Sequence, residues 1–304
     1  MTDKNKKILF IAIPVAVVVI AALIVGAIFL LGGANDTYRT IKVYRIEGNA
    51  EVRKAAGDIM TPYENMLLEN NDSVKTLENG YLYLKLDEDK YLLAEPDASF
   101  SLIATGDAQN SKTRIEIAYG SVIVHVTNAL SEDSSFEIGT GNSTMAVRGT
   151  SFRVSVTEDE QGNVVSCVEV FEGEVSVQPV GSTSQPTSVT AGQAAVVDQD
   201  GEVEKTAEGV VLEDLDDNAL EFLKIAIEHG KDVGASADEI DEIIANKQKT
   251  FTVTFTFDGK IFATERVAYG ELATRPTLMP APTGDWEFDF TTPITSDMSI
   301  NWVD

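Results

Sequence analysis

Apolar positions follow three different patterns along the 304-residue chain. Residues 8–31 carry no charged or strongly polar side chain. At about 1.5 Å per residue, a helix of about 24 residues reaches ~36 Å, enough to cross a hydrocarbon core of about 30 Å with some tilt. Pro14 falls in its second turn, where a lost backbone hydrogen bond does least damage. Lys4, Lys6 and Lys7 precede the run, and Gly32, Gly33, Ala34, Asn35 and Asp36 follow it. The positive-inside rule therefore predicts a cytoplasmic tail over 1–7, a transmembrane helix over 8–31 and an extracytoplasmic remainder. A cleaved signal peptide is the competing reading, since Gly32 and Ala34 are small. Signal h-regions are only about 7–15 residues long, and no cysteine follows here to accept a lipid, so an uncleaved anchor is expected.

The second pattern, over 38–206, is alternation in short runs broken by Gly, Asn and Asp. It predicts strands at 41–45, 81–86, 100–103, 114–118, 122–126, 151–156, 164–171 and 175–180, with no helix between them. The segment is thus expected to be all-β, either a sandwich or a solenoid-like wrap. Gly48, Gly120 and Gly173 each stand at the entry to a strand, a faint internal echo that turn chemistry alone explains.

The third pattern is helical and covers 212–248. Asp216 and Asp217 can cap a helix bearing Leu220, Phe222, Leu223 and Ile227, with Gly230 ending it, and Ser236 with Glu239 forms a capping box before Ile240, Ile243 and Ile244. Packing of both apolar faces on the β domain is expected, the alternative being a groove for a partner helix. Alternation returns at 251–257, followed by Asp258-Gly259, a type I′ hairpin signal that opens a small β domain over 250–304.

Charge and chemistry then narrow the function. Lys and Arg total 23 against 49 Asp and Glu, a formal net charge of −26. Such a chain repels phosphate backbones, and no basic patch or motif opposes this, so no nucleic-acid partner is expected. One cysteine, Cys167, closes no internal disulfide, and two histidines, His125 and His229, are too few for most His-built sites. The sequence holds no Walker loop, H-E-x-x-H, G-x-S-x-G or C-x-x-C. Gly139-Thr140-Gly141 lies between strands rather than before a helix, and Cys167 sits in a β run where a packed thiol is expected. Among the acidic clusters, Asp198 and Asp200 are weak Ca²⁺ candidates, because Asp-x-Asp-Gly makes a compact oxygen-rich turn. Neither they nor Asp87/Glu88/Asp89 nor Glu158/Asp159/Glu160 completes a ligand loop. No cofactor, no bound metal and no enzymatic activity are expected.

Two stretches resemble known families. Phe136-Glu137-Ile138-Gly139-Thr140, then Met145-Ala146-Val147-Arg148-Gly149-Thr150-Ser151-Phe152-Arg153-Val154, the hairpin from Val168 through Gly173 to Val177, and Ala191-Gly192-Gln193 together resemble the FecR domain. The resemblance spans about 38–206 and marks Val147, Arg148, Gly149, Thr150, Phe152, Gly173 and Gly192 as family-motif residues. Asn71-Asp72 stands where the family usually has Gly-Asp. Physically, Gly149 lets the chain bend, and Arg148 is expected to satisfy nearby carbonyls or a carboxylate rather than bind a ligand. The segment from Phe251 through Tyr269-Gly270, Pro280, Pro282 and Trp286-Glu287-Phe288 to Ile300-Asn301-Trp302 resembles an internalin B-repeat, with Trp286-Glu287-Phe288 replacing the usual Phe-x-Gly-Trp.

The resemblances imply a mainly β protein with a FecR-like domain, a helical connector and a β-grasp-like C-terminal module. They imply a binding or sensing protein of the bacterial surface. In the best-known FecR-domain proteins a surface signal passes to a cytoplasmic anti-sigma segment; seven residues before the helix leave no room for one, so any relay is expected to run through a membrane signalling partner. The alternative is a structural protein that tethers wall polymer or other surface proteins. Trp286 and Trp302 are candidate interaction residues, although in so small a module aromatics usually form the core.

Overall fold

The computed structural model describes residues 39–107, 110–206, 209–277 and 283–303. The expected tail (1–7) and membrane helix (8–31) lie outside these residues, as do Pro280 and Pro282. Among the described residues no helix is long and apolar enough to cross a membrane.

The strands in chain order are β1 (Ile41–Glu47), β2 (Ala50–Arg53), β3 (Ile59–Met60), β4 (Leu67–Leu68), β5 (Ser73–Thr76) and β6 (Tyr81–Leu86). Then come β7 (Lys90–Ala94), β8 (Ser99–Thr105), β9 (Lys112–Val126), β10 (Ser135–Gly139), β11 (Ser143–Val147) and β12 (Ser151–Glu158). The domain ends with β13 (Val164–Glu172), β14 (Glu174–Pro179), β15 (Thr187–Thr190), β16 (Ala194–Val197) and β17 (Val203–Thr206). They form one continuous 17-stranded assembly.

Pairing divides the assembly into two layers. The first runs β4-β1-β6-β7-β9-β12-β13-β16-β17. The second runs β3-β2-β5-β8-β9-β10-β11-β14-β15, and its β9–β10 pair is parallel. β9 belongs to both: Lys112–Tyr119 pairs with β8, while Gly120–Val126 pairs with β7 and β12. Gly120 makes the passage possible, with φ +80° and an ideal Cβ that would stand 2.5 Å from the Ala98 backbone. The architecture is a sandwich whose chain passes repeatedly between layers, which joins the two expectations.

Period-two alternation fills the space between the layers. Leu82, Leu84 and Leu86 of β6, Val122, Val124 and Val126 of β9, and Phe152 and Val154 of β12 meet Phe100, Ile115, Phe136, Met145, Val175 and Val177 of the second layer. The outer faces differ. On the first layer, Tyr83, Leu93, Ile123 and Phe171 are apolar or aromatic and buried. They lie beneath helices α1 (Asp217–Glu228) and α2 (Ala237–Lys247), which contribute Leu220, Phe222, Leu223, Ala226 and Ile240. Asp216 caps α1 and also accepts from the Tyr81 hydroxyl at 2.9 Å, tying the helix start to β6. Ser236 and Glu239 form the capping box of α2. On the second layer the alternate positions are polar, as with Glu51, Lys75, Ser101, Glu116, Glu137 and Ser176, and no helix covers them among the described residues.

The C-terminal module is a 4-stranded sheet of β18 (Thr250–Phe257), β19 (Lys260–Ala268), β20 (Asp285–Trp286) and β21 (Met298–Val303), ordered β19-β18-β21-β20. β18 and β21 are parallel. Asp258 and Gly259 both have positive φ, as a type I′ turn requires. Val253, Phe255, Trp286, Ile294 and Ile300 form the core. Where a β-grasp would pack a helix on its sheet, the described residues of this module contain none.

Candidate functional site

The family-motif residues converge on the places where the chain changes layer. Between β11 and β12 the crossing is Arg148-Gly149-Thr150; between β13 and β14 it is Gly173; between β15 and β16 it is Ala191-Gly192-Gln193. The three crossings bond to one another. Buried Thr150 donates its hydroxyl to the Glu174 carbonyl at 3.0 Å, and the Ala191 N–H donates to the Gly173 carbonyl at 3.1 Å. The Gly192 N–H donates to the Val170 carbonyl at 2.8 Å. A Cβ on Gly173 would lie 2.9 Å from the Thr150 hydroxyl and one on Gly149 3.2 Å from the Ala129 backbone, so side chains are excluded by space as well as by positive φ. Val147 and Phe152 point into the core. Most of the motif is thus a structural seam.

Arg148 is the exception. It is exposed, and among the described residues it has neither a hydrogen bond nor an ion pair, contrary to the expected internal partner. It borders a solvent-open recess of about 420 Å³ on the uncovered layer, floored by Leu130, Phe136 and Ala146 and flanked by Glu137 and Glu174. Both carboxylates have other partners: Glu137 accepts from Arg114 at 3.0 Å, and Glu174 from the Ser188 hydroxyl. The Arg148 guanidinium, a planar fork of donors that suits a carboxylate or phosphate, borders the recess with no bond of its own among the described residues.

The internal partnership expected of Arg148 belongs to Arg153. On the first layer Arg153 donates to Glu95 at 2.7 Å, to Glu169 at 2.9 Å and to the Ser121 hydroxyl at 3.3 Å. Burial holds the Glu95 carboxyl above its ordinary range, an effect that Arg153 offsets only in part. The sequence signal was available: Arg153 alternates out of phase with Phe152 and Val154, so it faces the helix-covered side, whereas Arg148 lies at a turn.

Asp198 and Asp200 occupy the β16–β17 turn. One Asp198 carboxylate oxygen accepts from the Asp200 and Glu202 N–H groups, each at 2.9 Å, so the turn itself engages it. Asp159 holds the β12–β13 turn in the same way. Among the described residues no group of three or more His, Cys, Asp or Glu is placed to hold a metal ion. Cys167 is half-buried, and burial, then Glu169, pushes its thiol up to about 11. Trp286 is buried and donates its indole N–H to the Pro276 carbonyl at 3.0 Å. Half-buried Trp302 stacks edge-on against it at 5.4 Å, so the pair mainly builds the module's core.

The two histidines, 104 positions apart in sequence, meet with ring centroids 5.4 Å apart, next to Tyr91. His125 is 1% exposed; its Nδ1 bonds the Ser151 hydroxyl at 2.8 Å and its Nε2 has no partner. Burial first, then His229 and Lys231, lower it to about 4. Nothing in the spacing of two isolated histidines reveals this meeting.

Residues 72–176 match the family model FecR, described as FecR protein. The span contains Val147, Arg148, Gly149, Thr150, Phe152 and Gly173 and ends before Gly192. Two crystal structures of a provisionally named anti-sigma factor from Parabacteroides distasonis ATCC 8503 are similar to this chain. The one at 2.50 Å has 17% identity and a TM-score of 0.37, covering 45% of this chain and 60% of its own. The one at 1.65 Å has 11% identity and a TM-score of 0.39, covering 76% and 98% respectively. The chain thus spans 60% of the length of the first. No curated protein matches it.

Proposed function

We propose that this chain is a membrane-anchored binding and sensing protein of the bacterial envelope, in which a FecR-type sandwich presents the Arg148 recess to a partner carrying an anionic group. Residues 8–31 hold it in the membrane and pass the signal to a membrane partner, while the C-terminal module, whose residue order resembles an internalin B-repeat, adds a second contact surface. The observation that carries the reading is Arg148. In a chain of net charge −26, an exposed guanidinium that borders the same recess as two carboxylates makes no hydrogen bond or ion pair among the described residues. The FecR match over 72–176 supports a role in signalling. The uncovered second layer supplies a polar face on which a partner can sit without displacing the helices.

The test is photo-cross-linking in growing cells from positions Ala146 and Ser176, which pair across β11 and β14 and line the recess with Arg148, in the wild-type background and with Arg148→Glu. The expected result is a discrete protein adduct that the charge reversal removes. An adduct unchanged by Arg148→Glu would overturn the recess as the contact, and recovery of wall polymer alone would replace sensing with tethering.

A further inference from the structure

We infer that a groove between the helical cover and the C-terminal module binds a short peptide segment of a partner protein, apolar and basic, whose lysine or arginine heads meet Glu213 and Glu242. Two recesses of about 430 Å³ and 320 Å³ form the groove and share Val210, Leu212 and Gly234. Clefts that take ligands span roughly 300–1,000 Å³ and favour junctions between domains. Three parts of the molecule meet here: the sandwich supplies Phe171 and the motif turn Ala191-Gly192, the cover Ile243, and the module Tyr269. Residues 248 and 249 alone separate α2 from β18, and the Tyr269 N–H donates to the Lys249 carbonyl at 2.9 Å, which holds this aromatic wall against the end of the helix. The helix supplies the facing wall. Glu239, Glu242, Ile243 and Asn246 follow at i, i+3, i+4 and i+7, one stripe of α2, while Ile240 is buried in the core under the cover.

Charge selects the occupant. Val210, Leu212, Ala235 and Ile243 are half-buried and give the groove an apolar floor. Glu213, Asp232, Glu239 and Glu242 line it, and no lysine, arginine or histidine does. Two of these acids are engaged locally: Glu239 accepts from the Ser236 N–H and hydroxyl, each at 2.8 Å, and Asp232 accepts from the Gly234 N–H at 3.0 Å. Glu213 and Glu242 are exposed and have neither a hydrogen bond nor an ion pair among the described residues. The cations of the cover are committed elsewhere. Lys224 holds Glu221 and Asp241, Lys231 holds Glu172, and Lys247 donates to the Leu215 carbonyl. Lys249, at the Asn246 end of the groove, donates to the Asn246 side chain at 2.6 Å. A neutral apolar peptide would strip water from two carboxylates and give nothing back, and an acidic one would be repelled. A lysine or arginine among apolar residues meets both demands, with its stem on the floor and its head at the rim. The Arg148 recess belongs to the uncovered second layer, so the inference does not depend on it.

The experiment measures fluorescence polarisation of a fluorescein-labelled hexapeptide of alternating lysine and leucine, titrated with the full chain in phosphatidylcholine nanodiscs at physiological ionic strength, with empty nanodiscs as the blank. A lysine–serine hexapeptide of the same charge is the second probe. Glu213→Lys with Glu242→Lys is compared with Glu78→Lys with Glu160→Lys, which makes the same charge change at exposed turn residues of the sandwich. The expected result is binding of the lysine–leucine probe that weakens at least ten-fold in the groove variant and less than two-fold in the turn variant, with the lysine–serine probe at least ten-fold weaker on the wild type. Equal losses in the two variants, or equal binding of the two probes, would reduce the interaction to the general attraction of an acidic chain and overturn the groove. Absence of binding overturns it as well. The probe comparison is made on the wild type, so it decides even if a variant folds poorly.

Discussion

Arg148 and Arg153 sit five positions apart, at the start of the β11–β12 connection and inside the strand that follows it, and have opposite surroundings. Arg153 is held by Glu95 and Glu169 beneath the helical layer, and Glu95 is 5% exposed. Arg153→Met would leave that carboxylate buried without its cation, a change that typically costs about 3–5 kcal/mol. Arg153→Met combined with Glu95→Leu should recover most of the loss, because the orphaned charge is then gone. Arg148→Ala touches no such network and should shift stability by about 0.5 kcal/mol or less. Urea unfolding of the four proteins checks the ordering. Equal costs at 148 and 153 would mean that Arg148 has an internal partner in solution.

At the scale of elements, the glycines that mark strand entries in the sequence are the points where the chain changes layer. Gly48, between β1 and β2, Gly120 within β9 and Gly173, between β13 and β14, all do so. Gly173→Ala and Gly192→Ala separate the two reasons for glycine. Both have positive φ, which costs an alanine about 1 kcal/mol or more. Only at 173 does the new Cβ also press on the Thr150 hydroxyl, at 2.9 Å, whereas open space surrounds it at 192. Gly173→Ala should therefore lower the thermal midpoint clearly more than Gly192→Ala; equal shifts would show that backbone conformation alone decides. The eight strands expected in the large domain fall in seven of its seventeen, 114–118 and 122–126 being two halves of β9; these, both helix caps and the type I′ turn were legible in the sequence because alternation, capping pairs and turn dipeptides are local signals. Assignment of strands to layers was not legible. Alternation states which side of a strand faces the core but not which strand lies beside it, and β10 pairs in parallel with a strand it does not directly follow in a hairpin. The recess was half legible: the motif pointed to residues 147–152, but the carboxylates that flank Arg148 come from β10 and β14, and their prior engagement is a fact of packing.

In the whole molecule, β9 binds both layers together and lies beneath α1, so the environment of His125 couples the sandwich to its helical cover. Around His125 stand Tyr91, Ser151, His229 and Lys231, and among the described residues Nε2 has no hydrogen-bond partner, so a proton added there would find two cationic or basic neighbours and no acceptor. The native state holds His125 at about 4, while an unfolded chain titrates near its ordinary value of 6.5. Above about pH 6.5 neither state binds the proton and this contribution to stability is complete. Between 6.5 and 4 the unfolded chain binds it and the native chain does not, so stability falls by about 1.4 kcal/mol per pH unit, reaching about 3 kcal/mol near pH 4. Other groups titrate in the same window, and His125→Gln isolates this one because glutamine keeps a polar side chain but cannot be protonated there. Between pH 7 and pH 5 the wild-type unfolding free energy should drop by about 2 kcal/mol more than that of His125→Gln. Parallel pH profiles for the two proteins would place His125 in a wetter or partnered site.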